Sequence, residues 1–321
     1  MDFISLRKTL AACLTLCAAT VSAQSYPLKP VRVVVPFAAG GNSDRIARAA
    51  ADSLAKALGQ QFLVENRLGA GGAIGTESVA KAAPDGYTLL VGSTGQLAIL
   101  QNIQKVAYDP LKDLAPISNL GFNSLVLTVH NLLPPRTLHE FVDYVKANPG
   151  RVTYASAGNG SLSHFAAAVF AARAGLDMVH VPYKGGVPAS NDLLAGTVMV
   201  YFGNAPDVVP HAKTGRLAML AVTSEKRDRD VPDLPPIADM YPGYRTVAWN
   251  GLLAPAGTPR EIVERLSQEA QKAMKDPQMV ERVAQMGITA VGSSAEELAE
   301  IVRVDLALYR DAVKAAGIKA E

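Results

Sequence analysis

Residues 151–175 read RVTYASAGNGSLSHFAAAVFAARAG, and this one unit carries the plan of the chain. The run RVTYASAG (151–158), led by β-branched and aromatic residues, predicts a strand. Glycines and serines then break the pattern, and an alanine-rich stretch over 163–175 predicts a helix closed by Gly175. The same design occurs earlier: "VRVVVPF" (31–37) is a strand, "AAGGNSD" a turn, and "DRIARAAADSLAKALG" (44–59) an amphipathic helix. Strands are predicted at 62–67, 87–93, 124–130, 178–183, 197–203, 217–224 and 248–255. Further helices fall at 76–83 and 137–150 and across the last sixty or so residues. Alternating βα units of this kind make a parallel sheet with helices on both faces, an α/β fold. The polar, proline-dotted segment 225–246 reads as a long surface connection.

The N-terminus reads as a leader. Arg7 and Lys8 precede an apolar stretch (9–19), and Val21-Ser22-Ala23 supplies the small residues of a cleavage site. Cleavage after Ala23 starts the mature chain at Gln24, exported to an oxidising compartment. Leu10-Ala11-Ala12-Cys13 also matches a lipoprotein box. However, only four residues separate Lys8 from Cys13, too few for an apolar core before an acylated cysteine, so the exported soluble reading stands. Both cysteines, Cys13 and Cys17, lie in the leader, which excludes disulfides and thiolate chemistry from the mature protein. A net charge of +2, spread evenly, argues for no nucleic acid. About 300 mature residues exceed what one compact core usually holds, so two domains are expected.

The glycine-rich stretches do not bind nucleotides by pattern. "GAGGAIG" (69–75) lacks the G-x-G-x-x-G offsets, "GNGSLS" has Ser163 at the third glycine position, and no P-loop occurs. No cofactor is implied. The five histidines show no metal-ligand pairing. Ser161, His164 and Asp44 are the members of a conceivable nucleophilic triad, but a serine at a helix start is most often an N-cap, and no G-x-S-x-G elbow exists. The reading that uses all these features is capture of a carboxylate by neutral donors. The loops 36–44 and 155–164 each place backbone N–H groups and small hydroxyls at a positive helix end, beyond the carboxyl ends of strands. Hydrogen bonds to an ionised partner contribute about 1.5–3 kcal/mol each, so four or five offset an association cost of about 4–15 kcal/mol.

These segments, together with "VENRLGAGGAIGTESVAKAAPDGYTLLVGS", "YDPLKDLAPIS", "VHVPYKGGVPASNDLLAGTV", "LAVTSEKRD" and "WNGLLAPAGTP", resemble the Bug family of extracytoplasmic solute receptors. These are the substrate-binding components of tripartite tricarboxylate transporters. The resemblance implies a type II periplasmic-binding-protein fold, two α/β domains around a ligand cleft. One domain would take residues 24–126 and 247–321, the other 127–246. It implies a monomer that binds a small organic carboxylate and hands it to the transporter's membrane permease subunits, or serves a signalling system; an exported serine hydrolase is the alternative of another class. Carried over by position, the ligand contacts would be Phe37, Ala38, Ala39, Gly41 and Ser43 on the first loop. On the second they would be Ser156, Gly158, Asn159, Gly160, Ser161 and His164. Ser93, Thr94, Tyr183, Lys184 and Asn204 complete the set. Ala38-Ala39 and Gly203 depart from the family's usual residues beside the ligand and bear on substrate identity.

Overall fold

The computed structural model describes residues 26–228 and 231–316. The leader, with its cleavage site and both cysteines, lies outside the described residues. Strand β1 (Val31–Val35) is four-fifths buried valine and sits between β2 (Phe62–Asn66) and β3 (Thr88–Ser93), parallel to both. Helix α1 (Asn42–Leu58) connects β1 to β2 and turns Ile46, Ala47, Ala50, Ala51 and Leu54 onto the sheet. It stops at Gly59, whose φ of 71° is the left-handed cap that glycine adopts without a Cβ penalty. Helix α2 (Ala73–Ala80) follows β2 through a tight turn at Ala70–Gly72.

The sheet then reverses. β9 (Val247–Pro255) runs antiparallel to β3, and β4 (Leu114–His130) antiparallel to β9. β4 is 17 residues long and changes company midway. Its first part, to Ser124, pairs with β9 and with the short β10 (Thr289–Ala290). From Leu125 onward it lies between β7 (Val200–Asn204) and β8 (Leu217–Val222), antiparallel to both. β5 (Val152–Ser156) and β6 (Met178–Pro182) complete the second half, parallel to β7. The path is β2-β1-β3-β9-β4-β7-β5-β6, with β8 and β10 on β4.

The chain therefore passes between the halves twice in the sheet, along β4 and back through the segment from β8 to β9. One side chain ties the two crossings. Thr223 Oγ1 accepts from Leu125 N (2.8 Å) and donates to Thr246 O (2.6 Å). Helices cover both faces: α3 (Leu138–Ala147), α4 (Leu162–Ala174), α5 (Gly186–Ala195) and α6 (Ala205–Lys213) in the second half, α7 (Arg260–Lys275) and α8 (Pro277–Ala284) in the first. The last helix, α9 (Ala295–Ala316), bridges them. Leu298 and Val302 pack into the first half, and Tyr309 packs edge-on against Phe165 of the second (4.9 Å between ring centres).

The structure corrects four expectations. The sheet is mixed, because β4 and β9 each run against their neighbours. β4 begins ten residues earlier than its apolar run. Its leading part carries buried Ser118 and Asn119, which hide the pattern; Ser118 Oγ donates to Ser293 O (2.8 Å), and Asn119 N to Ser293 Oγ (2.9 Å). Helices α5 and α6 have no counterpart in the sequence reading, since glycine, proline, serine and asparagine dilute their helical signal. The connection 225–246 is only partly surface. Ile237 and Tyr244 are buried, and the Tyr244 hydroxyl donates to Ala166 O at 2.9 Å.

Candidate functional site

The loops after β1 and β5 lie across from each other, and each delivers a helix start to the same place. Helix α1 begins beyond Gly41, an extended N-cap with no side-chain bond, so Asn42, Ser43 and Asp44 present N–H groups that no preceding turn of helix can accept. Helix α4 is capped by Ser161, whose hydroxyl accepts from His164 N (3.3 Å) and lies 3.1 Å from Ser163 Oγ. Ser163 Oγ in turn accepts from Ala157 N (2.9 Å), which fixes the turn. Between the two helix ends is a cavity of about 70 Å³. Phe37, Ala38, Gly41, Asn42 and Ser43 line it from the first loop, and Ala157, Ser161, Leu162 and Ser163 from the second. Ser93, Leu125, Ala248 and Asn250 close it from the central strands, and Gly186, Tyr201 and Asn204 from the β7 side. None of these side chains is charged.

The best-placed donor is Asn250, which is fully buried. Its Oδ1 accepts from the Ser43 hydroxyl at 2.7 Å, and its Nδ2 has no partner. A buried N–H₂ without an acceptor is costly unless something fills the cavity beside it. From Asn42 a relay of amides runs into the second half. Asn42 Nδ2 donates to Asn123 Oδ1 (2.9 Å), Asn123 Nδ2 to Asn204 Oδ1 (2.8 Å), and Asn204 Nδ2 to Asp207 Oδ2 (3.3 Å). Arg45 of α1 ends it with an ion pair to Asp207 (3.4 Å). Burial pushes the Asp207 carboxyl up, with Arg45 and Asn204 opposing. Asp44 is engaged elsewhere: burial would raise it, but Arg48, Gly40 N and Asn66 together hold it below the usual carboxylate range.

Seven of the residues predicted to contact ligand line this cavity: Phe37, Ala38, Gly41, Ser43, Ser93, Ser161 and Asn204. Gly158, Asn159, Tyr183 and Lys184 instead line a neighbouring cavity of about 310 Å³, walled on its other side by Gly69–Gly72. Phe37 and Ala157 stand between the two spaces. The Tyr183 hydroxyl donates to Asp192 (2.6 Å), and burial, then this carboxylate, pushes it up to about 12. Ala39 is exposed and lines neither cavity. Thr94, Ser156, Gly160 and His164 hold the frame. Thr94 Oγ1 accepts from Trp249 N and donates to Val247 O, both at 3.1 Å. Ser156 Oγ accepts from Gly158 N (3.1 Å) and pairs with His180 Nε2 (2.7 Å). His164 Nδ1 accepts from Gly160 N (3.2 Å), and its ring stacks on His180 with centres 4.1 Å apart. Asn42, Asn250, Gly186 and Tyr201 escaped the sequence reading. An asparagine in the apolar strand "WNGLLAP" and a tyrosine in "VMVYFGN" were the available signals, each a polar group in a buried run.

This geometry has relatives. A sequence model described as "Tripartite tricarboxylate transporter family receptor" matches residues 46–318. The chain belongs to that receptor family. Protein BugT of Bordetella pertussis is 36% identical over 305 residues, 94% of each chain. Among solved structures, R. palustris Rpa4515 with adipate is 32% identical, with a TM-score of 0.88 over 92% of this chain and 99% of that one. MatC from Rhodopseudomonas palustris with bound malate is 34% identical, with a TM-score of 0.85 over 90% of this chain and all of that one (100%). The fold is thus that of a periplasmic binding protein, two α/β halves about a cleft. In this tripartite tricarboxylate transporter receptor the cleft is closed by contact between glycine-rich backbones: the loop at Gly71 abuts Asn159, and Gly185 abuts Ala38.

Proposed function

We propose that this receptor captures a small organic carboxylate in the 70 Å³ cavity and delivers it to membrane permease subunits. The observation that carries the reading is Asn250: a fully buried amide donor without a partner, set between two helix N-termini in a cavity with no charged side chain among its described lining residues. A carboxylate satisfies that donor and the open N–H groups together, and each such bond contributes about 1.5–3 kcal/mol. The relatives holding adipate and malate support the ligand class. The protein acts by binding and not by turnover. The Ser161 hydroxyl serves as a helix cap and the His164 ring supports Gly160, roles that position a loop.

The working unit is the mature chain from Gln24, a periplasmic monomer. Its halves are taken as 24–126 with 247–321, and 127–246, because β4 changes partners at Ser124–Leu125. Mass spectrometry of periplasmic material will give Gln24 as the first residue; an acylated Cys13 would refute that start. The binding reading is tested by titration calorimetry of the mature protein with a panel of mono- and dicarboxylates, malate and adipate included. Asn250→Asp keeps an acceptor for Ser43 but replaces the free donor with an anionic oxygen. It is expected to weaken carboxylate binding by roughly a hundredfold or more. Undiminished binding by this variant would place the carboxylate elsewhere.

A further inference from the structure

The β7 side of the cavity is built differently from the rest. Tyr201 and Gly203 are two apart on β7 and so share a face. The tyrosine ring lies down over the glycine: a Cβ at Gly203 would stand 2.5 Å from Cε1 and 2.6 Å from Cδ1 of Tyr201. Any side chain at 203 would therefore displace the ring. Folded this way, Tyr201 is almost fully buried yet lines the cavity. Its hydroxyl is held close to Gly186, where a Cβ would come within 3.0 Å of Tyr201 Oη and 3.2 Å of Asp207 Oδ2. A phenol oxygen and a carboxylate oxygen thus flank one bare stretch of backbone at the start of α5.

What this wall offers a ligand is specific. Among the described residues no cation lines the cavity, and Arg45 reaches Asp207 through its other oxygen, Oδ1. Asn204 turns its Oδ1 to Asn123 and one of its two Nδ2 hydrogens to Asp207. The Tyr201 hydroxyl can both give and take a hydrogen bond through a single oxygen. A second carboxylate placed here would find Arg45 already paired to Asp207 and would have no cation of its own among the described lining residues. The space is also small: about 70 Å³, roughly half the 150 Å³ of an engineered cavity that takes benzene.

We propose that Tyr201, seated on Gly203, is the specificity-determining residue of this site, selecting a short monocarboxylate that bears a hydroxyl and rejecting dicarboxylates. The proposal rests on the binding reading above, and its test separates the two. Calorimetry compares 3-hydroxypropanoate, propanoate and malonate, which share a carboxylate and differ only at the other end, with adipate and malate alongside. The wild-type receptor should bind the hydroxy acid roughly tenfold more tightly than either partner of the triplet. Tyr201→Phe removes only the hydroxyl and should bring 3-hydroxypropanoate and propanoate within about threefold of each other. Gly203→Ala, which dislodges the ring from the other direction, should erase the same preference, with thermal unfolding confirming a folded chain. Malonate bound as tightly as the hydroxy acid overturns the proposal, as does Tyr201→Phe with the wild-type ranking intact. Binding of adipate or malate without any of the triplet overturns it too, while leaving carboxylate capture standing. Failure to bind any of the five would defeat the binding reading itself.

Discussion

Ser161 shows how much a single hydroxyl does here. It accepts the His164 N–H as an N-cap and lines the cavity at the same time. Ser161→Ala should therefore lose about 1 kcal/mol of folding stability. It should also weaken carboxylate binding by about 1.5–3 kcal/mol, roughly tenfold to over a hundredfold. Denaturant unfolding and calorimetry on one preparation separate the two losses. Lys226→Ala, an exposed change away from the cavity, should alter neither. Wild-type affinity in Ser161→Ala would mean that the carboxylate does not rest on this helix end. The cap was legible in the sequence because capping is local: a serine before an alanine-rich helix needs only its own next turn. Asn250 was not. Its meaning depends on Ser43, which takes one end of the amide and frees the other, and the two are 207 positions apart.

At the scale of elements, the β5–α4 loop is supported from beneath by rings. Tyr154 and His164 stack on His180 of β6, at 4.9 and 4.1 Å between centres, and Ser156 Oγ meets its Nε2. Burial lowers His180 from the ordinary 6.5 to about 4. Between those values the unfolded chain binds a proton that the folded chain does not. Stability must therefore fall as pH drops from about 6.5 to about 4. With His180 partly exposed, the loss is on the order of 1–2 kcal/mol. Asp44, held below its ordinary value, adds its own loss only at more acid pH. Urea unfolding at pH 7, 5.5 and 4.5 should show this slope in the wild type and a flatter one in His180→Gln; equal slopes would remove His180 as the cause. The elements that make this support were readable, β5 and β6 from their β-branched runs and α4 from an alanine-rich stretch between Ser161 and Gly175. Helices α5 and α6 were not, because their stability comes from burying a few residues such as Ala189, Leu193 and Val208 against the sheet rather than from helix propensity. The leading part of β4 was hidden for the opposite reason: its buried polar residues are satisfied by Ser293, far along the chain.

In the whole molecule, closure depends on backbones that can approach each other without side chains between them. The stretch "GAGG" (69–72) reads in sequence as a flexible turn, and nothing local distinguishes it from any other βα connection. Its significance comes from the other half of the protein, where the Asn159 carbonyl lies so near Gly71 that a Cβ there would collide with it. Gly71 also has a φ of 63°, so an alanine would be strained whether the cleft were open or shut. Gly59 provides the comparison: its φ is 71°, and nothing lies within 4 Å of where its Cβ would be. Both substitutions should cost about 1 kcal/mol of stability through the backbone. Only Gly71→Ala should also obstruct the meeting of the halves. If ligand binding is a hinge closure about β4 and the β8–β9 crossing, saturating ligand will shrink the radius of gyration of the wild type and of Gly59→Ala. Gly71→Ala will bind more weakly, because part of the binding energy must now force or forgo the closed contact. Small-angle scattering with and without ligand, beside calorimetry, reads both effects. Should Gly71→Ala close and bind as Gly59→Ala does, the ligand-bound receptor does not bring residue 71 against Asn159, and the clamp must shut along some other line.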